Sequence, residues 1–283
     1  MKDPALAFIG FGDIARIFSK ALAENGLADI RIYVRTPRDT GGFSSSTDMA
    51  EVFAGRDIIY AAVTPGAALD VAKEASKFLA PGQIYIDNAS VAPATKIEMA
   101  SIINATGARF VEAAQFGNAN KYGLSAPIHL CGEAAPDVIA ALSPFGMDLT
   151  NLGPDYGRAA ASKMFRSILG KGLEALMQEC VRGADHYGAA DDVLDFFGEG
   201  FYKGIDWKML ADHFVVRTAV HGMRRAEELD EVAAMMRDLG EEPFMTEAAA
   251  KRLRSLASPE MKARFADNQQ AGFHEVLDAL KKR

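Results

Sequence analysis

The stretch Ala5 to Phe18, ALAFIGFGDIARIF, constrains this chain more than any other. An apolar run, Ala5 to Ile9, passes directly into Gly10, Phe11, Gly12, Asp13, Ile14 and Ala15, and then into apolar residues at helical spacing. That order predicts a strand, a tight turn and a helix. Gly10 can take the sharp turn, Gly12 lets a ligand approach the backbone, and the small Ala15 lets helix and strand pack closely. The free N–H groups opening such a helix suit a pyrophosphate. A G-x-G-x-x-A sequence also occurs in plain strand–helix turns, but a second strand follows at the right distance, so the reading is dinucleotide binding through Gly10 to Ile14.

That second strand is Asp29 to Val34 (DIRIYV), and its end bears on the choice of dinucleotide. NAD sites carry an acidic residue about twenty positions after the glycines, where it bonds the ribose 2′-hydroxyl, whereas NADP sites carry arginine there. Here Val34 is followed by Arg35, Thr36, Pro37 and Arg38, with no carboxylate before Asp39. Arg35 and Arg38 would clamp a 2′-phosphate with Thr36 donating a hydrogen bond; the alternative is a solvated loop with two surface arginines. NADP is favoured, and NAD stays open.

A short helix (48–54), a strand (57–63), a helix (67–79) and a strand (83–87) follow, with helix 94–105 and strand 109–114 after them. This β-α-β order with short connections predicts a parallel, doubly wound sheet. Ligands in such sheets sit beyond the carboxyl ends of the strands, which brings Val63, Thr64, Pro65 and Asn88 to the dinucleotide. A loop, a strand (127–132), a helix (137–142) and a strand (147–152) lead to Gly153-Pro154-Asp155, read as the boundary between a dinucleotide-binding domain, 1–155, and a helical domain, 156–283. The fold class is therefore α/β, an N-terminal Rossmann doubly wound sheet followed by an all-α C-terminal domain.

From Arg158 apolar residues recur at three and four spacing to about Gly188, a long central helix expected to be buried on much of its circumference. Helices at 191–198, 206–239 and 246–256 follow, and the tail ending LKKR reads as a frayed surface segment. Lys163 and Lys171 lie eight apart on one face of the long helix. With Ala159 to Ala161, Met164 and Leu169 around it, Lys163 is expected in a cleft, and a partly desolvated lysine exchanges a proton near neutrality.

With these residues in hand, the chain resembles the β-hydroxyacid dehydrogenase and 6-phosphogluconate dehydrogenase superfamily over essentially its whole length. It is most similar to the branch with a DUF1932-type helical C-terminal domain, through Lys163-Met164, Lys171-Gly172, Ala175-Leu176 and His221 to Arg225. The resemblance implies that Lys163 is the general acid and base. It also implies that the turn Asp87 to Pro93, with Ala89 and Ser90, and the segment Phe110 to Asn118, with Phe116, Gly117 and Asn118, meet the substrate. Ser167 and Arg225 are further implied substrate contacts, and a homodimer is the implied assembly.

Several positions depart from the family pattern. Ala89 and Phe116 replace serines, Asn118 replaces a glycine, and Arg166 and Ser167 stand where paired asparagines are usual. The family's residues at those positions hold a small hydroxy acid, so a bulkier, aromatic alcohol enters as a candidate, with Phe196, Phe197, Phe201, Tyr202 and Trp207 as a pocket lining, although such a cluster is more often ordinary helix core. An imine reductase or lyase on the same fold and a non-catalytic NADP-binding sensor are the rival readings.

Composition removes other classes. The formal net charge of -7 opposes nucleic-acid binding, and no apolar run reaches membrane-spanning length. Cys131 and Cys180 lie in no CxxC, and the five histidines show no ligand spacing, so neither a disulfide nor a metal site is expected. The start MKDP runs straight into the first strand, and a cytoplasmic location is the expectation.

Overall fold

Strands β1 (Leu6–Ile9), β2 (Ile30–Tyr33), β3 (Ser44–Ser46), β4 (Ile58–Ala61), β5 (Ile84–Asp87), β6 (Arg109–Gln115), β7 (Ile128–Cys131) and β8 (Leu149–Asn151) form one sheet in the order β3-β2-β1-β4-β5-β6-β7-β8. Every residue of β1, β4 and β5 is buried, as parallel strands covered on both faces require. The covering helices are α1 (Asp13–Glu24), α2 (Met49–Phe53), α3 (Pro65–Ala75), α4 (Pro93–Asn104), α5 (Ala119–Tyr122) and α6 (Ala135–Leu142). One face packs Phe8, Phe18, Leu22, Tyr60 and Val111, the other Ile9, Ile59, Tyr85, Met99 and Phe110. Each such fully buried side chain contributes about 1.5–3 kcal/mol of apolar burial.

The computed structural model describes residues 3–200, 204–268 and 270–281, and the chain divides into two compact units, residues 1–163 and 164–283. The sheet belongs to the first unit. The division falls later than the Gly153-Pro154-Asp155 turn, because the opening turns of α7 (Arg158–Asp185) are tied to the sheet by hydrogen bonds.

The second unit is helical: the rest of α7, then α8 (Ala190–Glu199), α9 (Trp207–Asp238), α10 (Phe244–Leu256), α11 (Pro259–Phe265) and α12 (Phe273–Lys281). Its main core joins Val181, Leu194, Val215, Leu256, Phe265 and Val276. At Gly222 of α9 a Cβ would lie 2.8 Å from Leu253 O, so glycine is what lets α9 and α10 approach this closely.

Four details differ from the sequence reading. Strand β3 is an additional edge strand, made of three serines with no apolar alternation to announce it. β7 pairs antiparallel with β6, and β8 runs parallel to β7, so the last two strands reverse the direction of the other six. The tail is not frayed through Lys281: Phe273, Val276 and Leu277 bury α12 in the second core. And α7, expected to be buried on much of its circumference, leaves Phe165, Leu169, Leu173 and Leu176 exposed along one stripe.

Candidate active site

Strands β1, β4, β5 and β6 run parallel; the first three end in register and β6 runs on three residues further, so the residues after them lie along one edge of the first unit. Gly10 follows β1 with φ +89°, and a Cβ there would lie 3.0 Å from Ala62 O, so only glycine makes this turn without strain. Gly12 precedes α1 with open space where a side chain would be, and no side chain caps that helix. Its first amides therefore face outward without a side-chain acceptor, a cradle that fits a dinucleotide pyrophosphate. Thr64, ahead of α3, likewise makes no capping bond, and Pro65 occupies the first helical position that its fixed φ suits, two residues before the expected start.

Phe11, Gly12, Asp13, Arg16, Arg38 and Gly41 line a cavity of about 350 Å³ beside the glycine turn, together with Asp39. Arg38 thus borders the same hollow as the glycines, whereas Arg35 and Thr36 are exposed and outside its lining. Asp39 turns one oxygen onto Gly41 N–H at 2.9 Å. Ile14 and Val63 pack half-buried against the two cores flanking the turn.

At the substrate end, Lys163 Nζ donates to Ser90 Oγ at 2.7 Å. Residues far apart in sequence, one on α7 and one in the turn after β5, are brought together here. Asn88 Nδ2 donates to Gln115 Oε1 at 3.3 Å, which links the turn after β5 to the end of β6. Phe116 lies half-buried with its ring centroid 4.5 Å from that of His129. Gly117 is exposed with φ +86°, and Asn118 spends its side-chain oxygen on Asn120 N–H at 2.9 Å, capping α5. Ser167 sits one turn beyond Lys163 on α7, half-buried.

Two expected contacts are placed otherwise. Ala89 is 4 % exposed and packs in the core beside β5. Arg225 points inward within the second unit, where Nε donates to Glu174 Oε1 at 3.2 Å and Nη2 to Oε2; Thr218 adds its hydroxyl to the same carboxylate. A guanidinium held this way has its charge neutralised by a buried partner. Lys171 is similarly buried, against Glu228 at 2.6 Å, and burial lowers its pKa in spite of that partner. In the aromatic group, Phe197 packs 5.5 Å from Trp207, which joins the second core, while Phe196 is exposed; Phe201 and Tyr202 lie outside the described residues.

Three buried polar residues were not anticipated as a group. Lys96 Nζ donates to Asp87 Oδ2, to Asp87 O at 2.9 Å and to Ala113 O at 3.3 Å, with both side chains essentially inaccessible. Lys96 could have been noticed, because it falls on the buried stripe of α4 with Met99, Ala100 and Ile103. Glu112, alone in the apolar run FVEAA, accepts from Ala160 N–H at 2.6 Å and from Gly157 N–H. Burial, and next the Asp87 charge, push the Tyr60 and Tyr85 hydroxyls far above the ordinary tyrosine range, so they stay protonated. Burial first, then Glu112, push the Cys131 thiol up to about 11. A thiol with that pKa stays protonated at pH 8, so a thiolate-directed alkylating reagent is expected to leave Cys131 unmodified in the folded protein; rapid labelling would contradict this. No group of His, Cys, Asp and Glu able to hold a metal occurs among the described residues, and no described helix is long and apolar enough to cross a membrane.

Comparison with known proteins agrees with this arrangement. Residues 5–90 match the family model described as NADP oxidoreductase coenzyme F420-dependent, and residues 184–256 match the domain of unknown function DUF1932. A conserved hypothetical protein from Sinorhizobium meliloti 1021 is 29% identical, with a TM-score of 0.84 over 99% of this chain and 97% of that one. A conserved protein of unknown function, described as structurally similar to 3-hydroxyacid dehydrogenases, is 26% identical, with a TM-score of 0.77 over 88% of this chain and 96% of its own. The fold is shared as well by a 3-hydroxyisobutyrate dehydrogenase of Mycobacterium tuberculosis, 15% identical, with a TM-score of 0.74 over 99% of this chain and 100% of that one. Two matched models, one at each end, and an α/β unit followed by a helical one make the chain similar to the β-hydroxyacid dehydrogenase and 6-phosphogluconate dehydrogenase-like superfamily, in its branch with a DUF1932 C-terminal domain.

Proposed function

We propose that this protein is a cytoplasmic NADP(H)-dependent dehydrogenase or reductase acting between a CH–OH group and its carbonyl, with Lys163 as general acid and base. The observation that carries the reading is the 2.7 Å bond from Lys163 to Ser90, made at the strand edge that also holds the glycine turn. In this reading the dinucleotide-binding part is 1–155 and the helical part 156–283. A bound nicotinamide dinucleotide supplies hydride transfer, and the chain's task is placement and proton exchange. The amides at Gly12 and the start of α1 hold the pyrophosphate, and Arg38 faces the 2′-phosphate. Lys163 accepts a proton from the substrate hydroxyl in one direction and returns it to the carbonyl oxygen in the other. Ser90 orients both the amine and the reacting oxygen.

The half-buried Phe116 beside His129 favours a substrate bulkier than a short hydroxy acid. The exposed stripe Phe165, Leu169, Leu173 and Leu176 supports a homodimer, since a helix face of this kind is unusual in a lone chain. A screen of hydroxy acids and aromatic alcohols with NADP, and of their carbonyl counterparts with NADPH, read by nicotinamide absorbance, is expected to show turnover. Tight cofactor binding without turnover of any of them would favour the sensor. Arg38→Ala is expected to weaken NADPH binding about tenfold, the size of one charge-assisted hydrogen bond, and to leave NADH binding unchanged. An equal loss for both would remove Arg38 from the phosphate.

A further inference from the structure

Asp87, the last residue of β5, and Glu112, midway along β6, are register partners, so their side chains leave the same face of the sheet. Both are 0 % exposed. Each holds a different piece of backbone. Asp87, gripped by Lys96 of α4, closes β5 three residues before Ser90. Glu112 takes the N–H groups of Gly157 and Ala160 and so caps α7, three residues before Lys163. A carboxylate at a helix N-terminus is favoured by the exposed amides and by the helix dipole, and here it comes from a neighbouring strand rather than from the chain entering the helix. The Lys163–Ser90 bond joins the two backbones that these carboxylates fix.

We propose that Glu112 is a positioning residue, which sets the reach of Lys163 to Ser90 by fixing the first turn of α7 against β6, with Asp87 fixing the Ser90 turn from the adjacent strand. The inference rests on the functional reading of Lys163 and Ser90 given above. Loss of the cap lets the first turn of α7 drift from β6. Lys163 then keeps its place in the sequence of the helix but loses its bond to Ser90.

The reactivity of the Lys163 amine tests this without substrate or cofactor. The whole protein is pulsed with acetic anhydride across a range of pH, and acetylation of the peptide containing Lys163 is followed by mass spectrometry, with circular dichroism to confirm folding. Ser90→Ala is expected to label about fivefold faster at Lys163 than the parent protein, the size of one lost hydrogen bond, and Glu112→Gln to do the same although it leaves both side chains of the pair in place. Glu112→Asp keeps the charge but, one methylene shorter, meets only one of the two amides, and its labelling rate should fall between. If Glu112→Gln lowers the unfolding temperature yet labels like the parent, Glu112 is only a structural cap and the proposal is overturned. Should Glu112→Gln not fold, Glu112→Asp decides, an intermediate rate supporting the role and a parental rate overturning it. A parental rate in Ser90→Ala would instead overturn the Lys163–Ser90 pairing, and the proposed function with it.

Discussion

Lys163→Ala is expected to lower turnover about a thousandfold, the usual contribution of a positioned acid–base group, while NADPH affinity stays at its parental value. The separation follows from the geometry. Lys163 bonds Ser90 after β5, whereas the cavity at the glycine turn is lined by residues after β1 and β2. A side chain that touches no part of that cavity has no direct hold on the part of the dinucleotide assigned to it. Lys163→Arg should recover little, because an arginine stays protonated throughout the accessible pH range and cannot accept the proton. Parental turnover in Lys163→Ala would remove the proposed chemistry. Loss of NADPH binding would show that the lysine serves the cofactor instead.

Lys96→Ala should destabilise the protein by about 3–5 kcal/mol, because it strips the partner from a carboxylate that is wholly buried. In a protein of this size the unfolding temperature would fall on the order of 10 °C. The pair itself adds little net stability, since the desolvation of two charges offsets most of their attraction. The double substitution Lys96→Met with Asp87→Leu is therefore expected to regain most of the stability that Lys96→Ala loses. A thermal unfolding scan of the three proteins checks this. If the double variant is no more stable than Lys96→Ala, the loss comes from packing and not from the stranded Asp87.

The glycine turn, the β-α-β order and the long helices were legible because each has a local cause. A glycine required at φ +89°, apolar runs four or five residues long, and apolar residues at three and four spacing leave their mark on neighbouring positions. The reversal of β7 was not legible. Strand direction depends on the return path, and residues 116–127 hold only a four-residue helix and one tight turn, not a crossover helix that would bring the chain back parallel. Edge strand β3 pairs through its backbone alone, and its serines carry no period.

The candidate site divides in the same way. Lys163 stood out from its neighbours on the long helix and Ser90 through the resemblance, and the fold brings them within 2.7 Å. Arg225 was given as a ligand contact by the resemblance alone, yet its place on α9 with Gly222, Ala226 and Leu229 marks the buried stripe. The buried stripe of α7 offers Glu174 to meet it. Helical period therefore carried the better information on Arg225 than the resemblance did. Glu112 has no local cause at all, since its partners on α7 lie more than forty residues away.

The most direct test of the account is a fluorescence titration of the purified protein with NADPH and with NADH at one ionic strength. The account predicts binding of both, with NADPH tighter by about tenfold or more through charge-assisted bonds to its 2′-phosphate. Equal affinity would contradict the phosphate contact assigned to Arg38, and failure to bind either would contradict the oxidoreductase reading as a whole.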